Sequence, residues 1–136
     1  MLVTTKGRYA MRLMAYIANN PDRKVALREV AENEDISLKY LEQLARDLVA
    51  SKLLISVRGH GGGYKLARPA EDILAGDVLR AVEGTTAPVA CAALEDGGPG
   101  CPRESTCSTV AFWAGLDKVI EKYVDEVTLS DLKEEA

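Results

Sequence analysis

The chain has 136 residues, 47% of them hydrophobic, and a formal net charge of −4. That is one ordinary domain, or a small domain with a dimerisation element, with enough apolar surface to bury a core. No run of about 18 apolar residues is present to span a membrane, and the opening MLVTTKGRYAMRL lacks the ordered regions of a secretory signal, so a cytoplasmic, non-membrane protein is expected.

TTKGRYAMRLMAYIANNP predicts a first helix capped by Thr4 or Thr5, with Tyr9, Leu13, Met14 and Ile17 on one face and Asn19-Asn20-Pro21 ending it. In VALREVAENEDIS, Leu27, Val30 and Ala31 form a short apolar face, and Ile36 is placed to plug the turn that follows. SLKYLEQLARDLVASKLL is the strongest helical pattern. Ser37 is its N-cap, and Leu41, Leu44, Ala45, Leu48 and Val49 recur at three and four residues. In LLISVRGHGGGYKLARP the period changes: Ile55 and Val57 precede the glycine-rich 59–63, and Tyr64 to Leu66 resume an extended pattern, which predicts a hairpin.

Beyond Pro69, DILAGDVLRAVEG predicts a short helix with Val78, Leu79 and Val82 facing inward and Gly84 closing it. After a Gly- and Pro-rich loop, STVAFWAGLDKVIEKYVDEV carries Val110, Trp113, Leu116, Ile120, Tyr123 and Val127 in one stripe, widened by Phe112, Val119 and Val124. So wide an apolar arc on a long helix predicts a partner, most simply the same helix of a second subunit. The tail TLSDLKEEA starts with a cap and ends in exposed charge.

The predicted fold is mostly α with a small β-wing: a winged helix-turn-helix with a long C-terminal dimerisation helix. Three regions are expected: residues 1–68, a DNA-binding winged helix-turn-helix; 69–107, a short helix and a cysteine-rich loop; and 108–136, the dimerisation helix and tail. Charge divides the same way. Residues 1–68 sum to +5 and 69–136 to −9, so the first half suits a polyanion although the whole chain is acidic. On the Ser37 helix, Lys39, the free N–H groups beside Ser37 and the Tyr40 hydroxyl can meet phosphate. Gln43 can read adenine, Glu42 can accept a hydrogen bond from cytosine, and Arg58 at the wing suits a narrow minor groove. Gly59 and its neighbours let backbone approach DNA closely. A solvated helix face and a tight hairpin would place the same residue types; it is the combination that points to double-stranded DNA.

All three cysteines fall in CAALEDGGPGCPRESTC, at Cys91, Cys101 and Cys107. Three thiols cannot all pair within one chain, and a reducing compartment disfavours a structural disulfide. Soft thiolates on a pliable loop suit an iron–sulfur cluster, zinc or a thiol switch. Cys107 precedes a helix, whose dipole and free N–H groups favour its thiolate.

TTKGRYA, ISLKYLEQL, SVRGHGGGYKLAR, VLRAVEG, the cysteine loop and FWAGLDKVIEKYVDEVTLSDL together resemble the IscR, NsrR and CymR family of bacterial winged-helix transcription regulators, over essentially the whole chain. The similarity is greatest to IscR-like members, through Lys6 to Ala10, Ser37, Lys39 to Leu44, Val57 to Gly59 and Gly61 to Tyr64. It implies a homodimer that crosses its C-terminal helices on a pseudo-palindromic operator. It also implies DNA contacts by Ser37, Lys39, Tyr40, Glu42, Gln43, Arg58 and Gly59, and an iron–sulfur cluster, 2Fe-2S or 4Fe-4S, on Cys91, Cys101 and Cys107. Two departures bear on the cluster. IscR-like proteins carry a histidine three residues after the third cysteine, where this chain has Val110; and nine residues separate Cys91 from Cys101 against five between Cys101 and Cys107. The single histidine, His60, belongs to the wing. A carboxylate such as Glu95, Asp96 or Glu104, a partner residue or an exogenous group is left to complete the shell. The alternative is a CymR-like regulator answering to a regulatory protein partner or to thiol oxidation, without a cluster. An electron carrier would not need the basic winged half, and no catalytic constellation surrounds His60, so an enzyme is not expected.

Overall fold

Thr4 rather than Thr5 opens the first helix: its side chain accepts the Lys6 N–H at 3.2 Å, and α1 runs Thr5–Ala18. The computed structural model describes residues 3–89 and 107–132. After α1 come α2 (Leu27–Glu34), α3 (Leu38–Ala50), β1 (Leu54–Val57), β2 (Gly63–Leu66), α4 (Ala75–Glu83) and α5 (Val110–Val124), with 3-10 turns at Ala70–Asp72 and Leu129–Leu132. Ala10, Leu13, Met14 and Ile17 turn one side of α1 into a fully buried surface, and Val30, Leu41, Leu44, Leu48 and Val78 close over it. Asp35 ends α2 in the left-handed region (φ 53°), which a short polar side chain tolerates, and the chain turns there into α3. Ile36 plugs this turn, as its position predicts, and Ser37 caps α3 by accepting the Tyr40 N–H at 3.3 Å. Val49, expected in the apolar stripe of α3, is instead exposed: Leu48 beside it in the last turn is the residue that faces the core, and Val49 lies on the edge of the stripe that nothing among the described residues covers.

The strands β1 and β2 pair antiparallel with Leu54 opposite Leu66 and Val57 opposite Gly63. Val25, just before α2, adds a third edge by exchanging backbone hydrogen bonds with Tyr64 at 2.9 and 2.8 Å. This seam needs a glycine. A Cβ on Gly63 would stand 2.8 Å from the Val25 carbonyl oxygen.

Gly84 closes α4 with φ 86°, as its position predicts. α4 packs on α1 and receives α5, whose last turn is clamped by two parallel hydrogen bonds of 2.9 Å from the Arg80 guanidinium to the Asp125 carboxylate. Gly76 sits under this clamp, where a Cβ would come within 3.0 Å of Val124 Cγ2. The helix α5 stops at Val124, short of Val127. Val127 instead accepts the Ala75 N–H at 2.8 Å, and the chain folds back so that Leu129 is fully buried and donates its N–H to Ile73 O. The tail is therefore more than a cap and exposed charge: Thr128 and Asp131 bond each other's backbone N–H, a reciprocal cap that seats Leu129 in the core.

The seam predicts that Gly63→Ala, by forcing Val25 away from β2, destabilises the fold by about 1–3 kcal/mol, measured as a lower urea midpoint with an unchanged slope.

Candidate nucleic-acid interface

Packing Leu41, Leu44, Ala45 and Leu48 inward leaves the opposite side of α3 in solvent. Ser37, Lys39, Glu42, Gln43 and Arg46 are exposed there, while Tyr40 is half-buried. The Tyr40 ring meets Tyr9 edge-on at 5.6 Å, and its hydroxyl lies 3.2 Å from Thr5 Oγ1. The Tyr40 hydroxyl, expected to meet phosphate, is thus fastened to the first turn of α1.

The wing turn is shaped by Gly59 (φ 123°) and Gly61 (φ 75°), conformations that side chains resist, and Gly62 N–H bonds Gly59 O at 3.0 Å. Arg58, Gly59 and His60 are exposed at its tip. Sequence reasoning missed Lys24. Its ammonium donates to His60 O at 2.9 Å and so holds the wing tip from the segment before α2, adding a cation beside Arg58 and Gly59. Nothing local in the sequence signals this, because the contact spans 36 residues of chain.

The helix pair is braced at its other end. The Glu29 carboxylate on α2 accepts from the Tyr16 hydroxyl of α1 at 2.5 Å and from both terminal nitrogens of Arg23 at 2.8 and 2.5 Å. Asn33 in turn donates to the Tyr16 oxygen at 3.0 Å. The Arg23 and Tyr16 hydrogen bonds together hold the Glu29 carboxyl down at about 2.

Of the three cysteines only Cys107 lies among the described residues; Cys91 and Cys101 fall outside them. Cys107 stands two residues before Thr109, the N-cap of α5, with its sulfur 3.1 Å from the Thr109 hydroxyl. That hydroxyl and the backbone N–H groups of Thr109 and Val110 pull the thiol below its ordinary pKa, as the position before a helix predicts. Among the described residues no group of three His, Cys, Asp or Glu side chains is gathered around a metal-sized space.

The apolar arc of α5 resolves into two stripes. Trp113, Ile120 and Val124 are partly covered, and Asp117 on the same line is buried. Phe112, Val119 and Tyr123 face outward with roughly two-thirds of their surface exposed, which departs from the expected single stripe containing Tyr123.

Comparison with known proteins decides what this architecture belongs to. The family model described as Rrf2, iron-dependent transcriptional regulator, matches residues 3–135. The chain is a member of the Rrf2 family. Protein rrf2 of Nitratidesulfovibrio vulgaris is 38% identical over 137 residues, covering 100% of this chain and 89% of that relative. The HTH-type transcriptional regulator IscR of Cereibacter sphaeroides is 40% identical over 135 residues, covering 97% and 86%. CymR, the global cysteine regulator of B. subtilis, superposes with a TM-score of 0.80 at 29% identity, covering 97% of this chain and 95% of its own. The resemblance read from the sequence is thereby borne out, and with it the winged-helix fold and the assignment as a DNA-binding transcriptional regulator rather than an enzyme. Among the described residues of this Rrf2 regulator, no helix is long and apolar enough to cross a membrane.

Acid lowers the grip of the Glu29 brace in a defined window. Its pKa is depressed on folding, so its stabilisation is complete above the ordinary value of 4.5 and is lost as pH falls toward about 2. Thermal melts between pH 5 and about pH 2 should therefore show a smaller acid-induced loss of Tm in Glu29→Gln, which starts less stable, than in the unaltered protein.

Proposed function

We propose that this Rrf2 regulator binds a two-fold operator as a homodimer and that its cysteine segment tunes the affinity by holding an iron–sulfur cluster. The observation that carries the reading is the placement of that segment. It joins α4, packed on the DNA-reading unit, to α5, which bears an exposed apolar stripe, and it ends in a thiol already biased toward thiolate. Phe112, Val119 and Tyr123, at spacings of seven and four, form a seam that suits the same helix of a second copy. Two copies would present two α3 helices, which is what a pseudo-palindromic site requires. We assign base or backbone contact to Ser37, Lys39, Tyr40, Glu42, Gln43, Arg58 and Gly59, with residues 1–68 as the reading unit, 69–107 as the sensor segment and 108–136 as the dimerisation element and tail.

A cluster would be held by the thiolates of Cys91, Cys101 and Cys107, the soft donors that iron prefers. It would supply differential binding energy between two dimer geometries; a hundredfold change in operator affinity needs about 2.7 kcal/mol. The protein's own part is to lower the Cys107 pKa and to leave a further position open, since Val110 offers no donor atom. The depressed thiol and the likeness to CymR also favour a second reading, in which thiol oxidation or a regulatory protein partner sets affinity without a cluster.

Two measurements separate these readings. Anaerobic purification should give visible absorption, with iron and sulfide in proportion, that Cys101→Ala and Cys107→Ala abolish; equal operator affinity with and without the chromophore sinks the sensing claim. In the reading unit, Gln43→Ala should remove about 1–3 kcal/mol of discrimination at one base pair, and Arg58→Ala should lower the slope of log affinity against log salt by about one.

A further inference from the structure

We propose that Glu83 is a positioning residue for the DNA-reading helix, passing the state of the cysteine segment to Tyr40 through the first turn of α1. The proposal rests on the reading of that segment as the sensor, and it names the contact by which sensing reaches the operator. Glu83 is the last residue of α4; the chain beyond it leads directly into the cysteine segment. Its carboxylate leaves its own helix and reaches α1. There it accepts the Gly7 N–H at 3.0 Å, the Thr4 N–H at 3.5 Å and the Thr4 hydroxyl.

The Gly7 N–H is one of the donors that a helix start leaves without an internal acceptor, and a carboxylate is the group the helix dipole favours there. The two helices approach closely here: a Cβ on Gly7 would lie 2.7 Å from Val3 Cγ1 and 3.2 Å from Leu79 Cδ2, and in ordinary contact, 3.4 Å, with Glu83 Cγ. Between Thr4 and Gly7 stands Thr5, whose hydroxyl lies 3.2 Å from Tyr40 Oη, on the helix that exposes Lys39 and Gln43. One helical turn therefore carries the acid on one side and the reading helix on the other.

The other side of Glu83 is not tightly packed. Together with Val3, Thr86, Ile120 and Val124 it lines a cavity of about 90 Å3 between α4 and α5, and the buried Thr86 hydroxyl has no hydrogen-bond partner among the described residues. A shift of the segment after Gly84 has room to move Glu83 before it meets hard contact. Movement of the carboxylate would release the first turn of α1, and with it the hydroxyl contact that seats Tyr40.

The test is a double-mutant cycle on operator affinity, by fluorescence anisotropy, with Glu83→Gln and Thr5→Val in the full chain freed of metal. If the two act in one line, each single variant weakens operator binding about fivefold and the double variant is no weaker than the stronger single; independent effects would multiply. Unrelated duplex should be bound as before. Multiplying effects, or an unaltered Glu83→Gln, overturn the relay. Thr5→Val changes only an exposed hydroxyl, so if Glu83→Gln fails to fold, full operator affinity in Thr5→Val alone overturns it. In protein carrying its cluster, the ratio of loaded to unloaded affinity should collapse toward one in Glu83→Gln; a preserved ratio also overturns the relay. A ratio of one in the unaltered protein defeats the sensing reading instead, and the cycle still decides the relay.

Discussion

The burial of one entire side of α1 is the constraint on which the rest of the molecule depends. Ala10, Leu13, Met14 and Ile17 are removed from water by α2, α3, α4, β2 and the C-terminal turn, each of which packs on α1 or on a residue that does. Burying four such side chains is worth several kcal/mol before the entropy of ordering the chain is set against it. The geometric consequence matters more: α3 can expose its polar side only because its apolar side has this surface to rest on, and α4 lies on the same helix. The reading surface and the approach to the cysteine segment thus share one foundation.

Polar contacts then set the details that apolar packing leaves loose. Close-packed side chains resist separation, but they specify rotation weakly unless a directional bond is added. Here those bonds stand at the edges of the core: Glu29 with Tyr16 and Arg23 between the first two helices, Lys24 at the wing tip, Arg80 with Asp125 between α4 and α5, and Glu83 at the start of α1. Each is partly exposed, so solvent screens part of what each adds to stability. Their value lies in orientation, which is what a helix needs if it is to meet base edges in a groove.

The acidic second half now has a physical explanation that its composition alone lacked. Asp77, Glu83, Asp125 and Asp131 act within the fold: Asp77 caps the start of α4, Glu83 caps α1, Asp125 holds Arg80, and Asp131 closes the last turn. Part of the negative charge that makes the whole chain acidic is thus structural.

Local chemistry was legible without a structure. Helical periodicity over 38–50, the Ser37 cap, the glycine turn after Val57, the Gly84 stop and the thiol before α5 are all decided within a few residues of chain, by hydrogen bonds and torsional preferences that sequence neighbours supply. The same locality is why the exposed face of α3, the proposed DNA-reading face, was legible: it is whatever the buried stripe of α3 leaves outside. What only the tertiary structure decided are contacts between residues far apart in the chain. These are Leu129 in the core, Val25 as an edge to the wing, Lys24 at its tip, Tyr40 tied to Thr5, and the division of α5 into a covered and an exposed stripe. Periodicity says how wide an apolar arc is but not which neighbour covers each side of it, because that depends on where the other helices come to rest.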